Sequence, residues 1–392
     1  MSISRRQLIA LFLCSLVTWS VGNGLIPLLP VYAAELGASK AIAGLYLGFT
    51  YLALTIGALV AGVVSSKFRR QKLPLIIVCC ISIPAAWLMG HTSTVLELAA
   101  VSAVLFFCGA ASLVLVGILT GLSAGEQERG KTFGLIGLTS GLGSLVGNLG
   151  FGLLVEYWDY TTMFRGAAGI LFLGLLCSLL VEEKKKTHTE RKEIPTQKAP
   201  GLGKSFYFLF SACVLTSTAG FLVLLVRSVL MDDLNFRPLE ISSTGAIGGL
   251  ISIPFPFLMG WLSDRVGRKK LIMGGYLSTL AAVIILAIST RLWHFWLAIG
   301  LGCITTGSNS IGNALVNDLV PGQSLRKALS IFGAAAWIGG VFGFVLAGVS
   351  LQNLGFIPTY IIGGCLVVAA VLFLIPIRVG VNSRVLPGSG QS

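Results

Sequence analysis

Long apolar runs alternate with short charged segments along almost the whole chain, and the runs are of bilayer length. A membrane's hydrocarbon core takes about 20 apolar residues per helix. Twelve stretches meet that requirement: 8–32, 41–65, 74–90, 95–121, 132–156, 162–181, 205–231, 241–262, 271–290, 293–318, 328–351 and 356–377. The pattern predicts an all-α membrane protein with twelve transmembrane helices, spans 1 to 12. Between spans 6 and 7 lies the only long hydrophilic stretch, opening on Glu182-Glu183-Lys184-Lys185-Lys186 and carrying Pro195 and Pro200. It divides the chain into a six-helix bundle at 1–181, a cytoplasmic linker at 182–204, a second six-helix bundle at 205–378 and a cytoplasmic tail at 379–392.

The two halves echo each other. At an offset of 196, Gly137, Gly143, Gly147 and Gly152 of span 5 meet Gly333, Gly339, Gly343 and Gly348 of span 11. Small residues four apart form one stripe, which lets helix backbones approach closely in lipid, where apolar burial supplies no driving force. The stripes read equally as helix packing and as sliding faces between two half-bundles.

Composition agrees with this pattern: 55% of the residues are hydrophobic and 11% charged, against roughly 25% charged in a soluble domain. The net charge of +13 invites a nucleic-acid reading, which the placement of the charges removes. Only Lys40, Arg165, Arg237 and Arg291 fall in the loops on one side, and Arg227 falls inside a span; the other basic residues lie in the termini, the linker and the loops of the opposite side. This is the positive-inside asymmetry, and it puts both termini in the cytoplasm. The eight cysteines all fall within spans, which disfavours disulfides, and their spacing is not that of a zinc site. Arg5 and Arg6 before the first apolar run resemble an export signal, but the run is too long and eleven spans follow, so they are read as an anchor.

Between spans 8 and 9 stands Gly260-Trp261-Leu262-Ser263-Asp264-Arg265-Val266-Gly267-Arg268-Lys269-Lys270, echoed 198 positions earlier by Gly62, Arg70 and Lys72. With twelve spans in two sixes, a basic central linker, Glu128-Arg129-Gly130-Lys131 before span 5, and Pro321-Gly322 with Arg326-Lys327 before span 11, the chain resembles the major facilitator superfamily. The resemblance implies two pseudo-symmetric six-helix bundles, a central cavity lined by spans 1, 4, 7 and 10, and alternating access by rocking of the halves. It also implies that Asp264 latches the cytoplasmic side by facing the positive end of span 5, near Lys131 and Thr132. Arg265, Arg268 and Lys269 are expected to hold the loop at anionic headgroups, and Gly260 and Gly267 to allow close approach and a tight turn. The first-half copy has Ser66 in place of the aspartate and Arg69 in place of the second glycine. The antiporter branch carries an arginine four residues ahead of a span-4 glycine; here Leu105 precedes Gly109. Its glycine–proline pair in span 5 is replaced by Gly147-Asn148, and its paired glycines by Gly150-Phe151.

None of the fifteen acids falls at mid-membrane, where an ionisable group costs about 2.5–3.5 kcal/mol or more. Coupling to a proton or ion would then use a carboxylate near a mouth, such as Glu35, Asp232 or Asp318, or be absent. Arg227 reads either as snorkelling outward to Asp232, Asp233 or headgroups, or as a counter-charge for an anionic substrate. Asn309, Asn313 and Asn317 in span 10, one turn after Thr306, share a helical face, as do Trp19 and Asn23 in span 1. Amides facing lipid are costly, so these residues and Asn148 are candidates for the cavity or for interhelical hydrogen bonds. An amide stripe with aromatics suits an uncharged or amphipathic organic solute. No phosphate-binding loop, metal cluster or catalytic constellation is present, so neither a cofactor, a metal nor an enzymatic activity is expected.

These features point to a monomeric secondary transporter of the plasma membrane, partnered by lipids and a small-molecule substrate and more suited to efflux than to uptake. The rivals are an uptake carrier for a neutral metabolite and a transporter-like sensor that no longer transports. The unequal loop copies generate a first prediction: Asp264→Asn should increase cytoplasmic labelling of a reporter cysteine more than Ser66→Ala does, and equal effects would remove the asymmetric latch.

Overall fold

A computed structural model describes residues 3–67, 71–125, 128–182 and 201–377, with the side chains at 66, 67, 256, 257, 260, 264, 306–310, 322, 323 and 326 excepted. The first half holds α1 (Arg5–Leu25), α2 (Leu29–Glu35), α3 (Lys40–Lys67), α4 (Lys72–Met89), α5 (Val95–Ser123), α6 (Arg129–Tyr157) and α7 (Tyr160–Leu180). The second holds α8 (Lys204–Asp233), α9 (Pro238–Ser252), α10 (Phe255–Val266), α11 (Arg268–Ala287), α12 (Leu292–Leu319), α13 (Gly322–Leu354) and α14 (Phe356–Leu374).

Among the described residues fourteen helices account for the twelve expected crossings, because two of the expected spans are broken. Proline lacks an N–H and its ring collides with the carbonyl one turn back, so Pro27 and Pro30 divide span 1 into α1 and α2, and Pro254 divides span 8 into α9 and α10. Ten helices are each long and apolar enough to cross by themselves among the described residues. The linker and tail boundaries expected from sequence fall largely on residues 183–200 and 378–392, outside the described residues.

Within each half the glycine stripe seats one helix on another in the same way. A Cβ added at Gly143 would stand 2.8 Å from the backbone nitrogen of Ser20, and one at Gly339 would stand 2.9 Å from that of Thr218. Gly147 rests on the carbonyl of Ser20 as Gly343 rests on that of Thr218. Residues 19 and 20 therefore correspond to 217 and 218, an offset of 198 beside the 196 of spans 5 and 11.

The halves meet along two further seams, α6 on α9 and α3 on α13. These are also paired by the pseudo-symmetry: Gly152 lies against Ser242 and Gly348 against Gly44. The two seams run from the far ends of the helices to about mid-membrane, where Gly141 meets Gly249 and Ile253. Beyond that point α10 packs on α11 and α12 of its own half, and Gly130, Gly134 and Gly137 face open space. The bundle is thus closed on its far side and open on the side that carries the termini.

In the charged loop Gly267 has φ 93° and ψ 135°, a conformation that side chains resist, and it turns α10 directly into α11. The Arg268 guanidinium then pairs with Asp318 at 2.6 Å and donates to the carbonyl of Ala314. Lys269 Nζ donates to the carbonyls of Ile375 and Ile377, satisfying carbonyls that a helix end leaves without partners. Arg265 stacks on the Trp261 ring, 4.0 Å from its centroid. Arg268 and Lys269 accordingly tie span 9 to spans 10 and 12, contacts that the sequence motif did not reveal. In the first half Lys72 Nζ donates to the carbonyl of Leu179 at 2.7 Å, a helix-end tie like that of Lys269, although in sequence Lys72 aligns with Lys270.

A Cβ at Gly348 would lie 2.7 Å from the Cα of Gly44, backbone against backbone, where neither partner can turn away. Gly348→Val should therefore weaken the closed form by about 1–3 kcal/mol, whereas Gly137→Ala in open space should stay within about 0.5 kcal/mol. Thermal unfolding in detergent, combined with labelling of a far-side cysteine, distinguishes the two.

Candidate substrate cavity and gates

A cavity of about 140 Å³ lies inside the first bundle, bounded by α1, α3, α4, α5 and α7, with Trp337 of α13 entering from the second. The glycine seat on α6 positions its inner wall. With Trp19 and Ser20 backed onto Gly143 and Gly147, the following residues Val21, Gly22 and Asn23 turn toward the cavity. Its roof is an aromatic cluster centred on Tyr51, with ring centroids 4.9 Å from Phe344, 4.8 Å from Phe221, 6.3 Å from Trp337 and 6.4 Å from Phe106. Tyr51 belongs to the first half, and three of these four neighbours belong to the second, so the roof joins the halves.

The walls carry no charged side chain. Most hydroxyls there are already committed: Thr18 donates to the carbonyl of Cys14 at 2.9 Å and Ser82 to that of Cys79 at 2.8 Å. The side chains of Trp19 and Asn23 both line the cavity and make no hydrogen bond among the described residues. An amide, an indole N–H and the Tyr51 phenol, likewise without a hydrogen bond among the described residues, are therefore available in an otherwise apolar space. Leu105, at the position where the antiporter branch has its arginine, is part of the wall, and that replacement is why the cavity is uncharged.

The other sequence candidates are placed elsewhere. Asn148 is fully buried where α6 meets α1 and α9: its Nδ2 donates to the carbonyls of Asn23, at 3.3 Å, and Ser144, at 2.7 Å. A side chain on Gly245 would collide with its amide, so Asn148 is a wedge between the halves rather than cavity lining. Asn313 and Asn317 are exposed and make no hydrogen bond among the described residues. The interhelical reading fails for both because the second bundle packs through the opposite face of α12, carrying Ile311 and Leu315. The side chains of Asn309, Gly260 and Asp264 lie outside the described residues. Thr132, the expected latch partner, is buried with its hydroxyl donating to the carbonyl of Glu128.

Arg227 does not snorkel. It is only 4% exposed, its Nε has no hydrogen-bond partner, and none of the ion pairs among the described residues includes it. Asp233 is instead taken by Lys40. Tyr51, Phe106 and Trp337 were not found from sequence, since isolated aromatics within apolar runs leave no periodic polar signal.

Two ion pairs close the far side, each crossing between the halves. Lys40 at the start of α3 holds Asp233 at the end of α8 at 2.6 Å, and its ammonium also sits 4.5 Å above the Phe356 ring. Arg237 before α9 holds Glu156 at the end of α6 at 3.2 Å. Beside Lys40 a hollow of about 510 Å³ is lined by Asp232, Asp233 and Gln352 among others. Nearby, burial and then the neighbouring Asp232 push the Glu35 carboxyl above its ordinary range.

The sequence matches the profile described as Major Facilitator Superfamily over residues 11–225 and 207–391. The chain belongs to that superfamily. Within the family it is 24% identical to the multidrug resistance protein MdtG of Escherichia fergusonii, over 94% of this chain and 93% of that protein. A shorter match, 36% identical over 28% of this chain and 24% of the other, is to the inner membrane transport protein YajR of Escherichia coli. The fold is similar to the crystal structure of the nucleoside transporter NupG, with TM-score 0.77, 16% identity and coverage of 95% and 99% of the two chains. It is also similar to a bacterial homologue of the lysosomal transporter Spinster in an inward-facing, unoccupied conformation, with TM-score 0.69, 14% identity and 94% coverage of both.

The far-side pairs are half-exposed, a setting in which an ion pair contributes about 0.2–1 kcal/mol. Lys40→Ala or Arg237→Ala should therefore raise the labelling rate of a far-side cysteine by no more than about fivefold. The double variant should approach the product of the single effects, since the two pairs lie on different seams.

Proposed function

We propose that the chain exports small uncharged or amphipathic organic molecules across the plasma membrane by alternating access, with its termini in the cytoplasm. The observation that carries this reading is the charge-free cavity whose available polar groups are those of Asn23, Trp19 and Tyr51. A site of this kind selects by shape and apolar contact, with a few polar groups to orient the ligand. It suits lipophilic, aromatic solutes better than ions or phosphates. The whole-length similarity to multidrug resistance proteins supports the same direction and substrate class.

The conformation fits loading from the cytoplasm. The charge distribution assigns the open, terminal side to the cytoplasm, and the exposed Asn313 and Asn317 then face the wet vestibule, since amides in lipid would be unfavourable. Solute entering between the halves reaches Trp19 and Asn23 beneath the Tyr51 roof. Release outward requires the roof and the Lys40–Asp233 and Arg237–Glu156 pairs to part while the charged loops close the opposite side. Glu35, whose carboxyl is held above its ordinary range by burial and then by Asp232, is a carboxylate near the far mouth of the kind that a proton-coupled cycle would use.

Everted vesicles containing the protein should accumulate an uncharged lipophilic fluorescent dye under a proton gradient and lose it on addition of a protonophore. Asn23→Ala should slow accumulation by roughly 2- to 12-fold, the equivalent of one hydrogen bond of about 0.5–1.5 kcal/mol. Movement indifferent to the protonophore would favour a facilitator for a neutral metabolite. No movement, with no thermal shift from any of a broad solute panel, would favour the non-transporting reading.

A further inference from the structure

The second bundle buries a charge. The glycine-seat offset of 198 pairs Arg227 in sequence with Leu29, which is fully buried in the apolar core of the first half, although α8 is continuous at Arg227 whereas Leu29 lies past the break between α1 and α2. Arg227 is 4% exposed. A buried guanidinium without a counter-charge is strongly unfavourable, and no carboxylate among the described residues pairs with it.

A second buried group is orphaned beside it. Tyr360 of α14 is 1% exposed and its hydroxyl has no hydrogen-bond partner; α14 packs directly on α8, which carries Arg227, and the two groups interact electrostatically. Cys303 of α12 completes the surroundings, with its thiol turned to the carbonyl of Gly248. Three helices thus bring together a fixed cation and a free O–H donor. None of the three residues lines the cavity of the first bundle.

We propose that Arg227 and Tyr360 form an anion-binding site inside the second bundle, between α8, α12 and α14, and that its ligand is a compact monovalent anion. A guanidinium supplies donors and charge but no acceptor, and the phenol adds a donor, which together describe the shell of a halide or a carboxylate oxygen. Burial of both groups restricts the occupant to something the size of chloride or a single small carboxylate. The site is independent of the efflux reading, because it lies outside the proposed substrate cavity and needs only the fold.

The test is thermal unfolding of the purified full-length protein in detergent, in sodium gluconate exchanged stepwise for sodium chloride or sodium acetate at constant sodium. Binding to the folded state alone should raise the wild-type Tm saturably by about 2 °C or more. A response to chloride alone identifies a free inorganic anion, and an equal or larger response to acetate identifies a carboxylate; either supports the site. Arg227→Leu, which removes the buried charge, should lose the response and unfold no earlier than wild type in gluconate. Tyr360→Phe keeps the charge and the ring and should raise the half-saturating concentration several-fold, which keeps the test decisive should Arg227→Leu fail to fold. A wild-type Tm indifferent to both anions, or a rise of the same size in Arg227→Leu, would overturn the proposal.

Discussion

Gly147 lies so close to the carbonyl of Ser20 that a side chain there would overlap it, and Gly343 stands in the same relation to Thr218. The rest of the molecule depends on this kind of contact. Lipid is as apolar as leucine, so burying hydrocarbon does not draw helices together within it; close backbone packing does. The same device recurs between the halves, where Gly348 meets Gly44 and Gly152 meets Ser242. The stripes therefore serve as both packing faces and inter-half seams, as two different edges of the same helices.

Because the glycine seats fix the register of α1 on α6 and of α8 on α13, they also decide what each bundle presents inside. In the first half they turn Val21 to Asn23 toward a charge-free cavity. In the second they carry Arg227 into a buried position beside Tyr360. The duplication has preserved the scaffold while the interiors have diverged in opposite senses, one toward hydrocarbon and the other toward charge.

The loops show the same division of labour. Lys72 and Lys269 each close the end of the last helix of their half by donating to free carbonyls. This interaction holds a half together and occurs in both halves. The ion pairs Lys40–Asp233 and Arg237–Glu156 instead join one half to the other. They are partly exposed, a setting in which ion pairs are individually weak.

The number of crossings, their grouping in sixes and the family were legible from the sequence, because bilayer thickness fixes the length of an apolar run and a duplicated motif keeps its spacing. That Trp19 and Asn23 share a face follows for a related reason, since residues four apart on a helix lie on one side of it. The breaks at Pro27, Pro30 and Pro254 were equally written in the sequence, although apolar content alone hides them. Tertiary structure alone decided the rest. It placed the cavity inside one bundle rather than centrally, set Asn148 as a wedge at Gly245, drew Tyr51 into a roof across the halves, and left Arg227 buried instead of snorkelling. Each outcome depends on which groups lie across a helix interface, and hydropathy and spacing determine which face a residue occupies but not what that face meets.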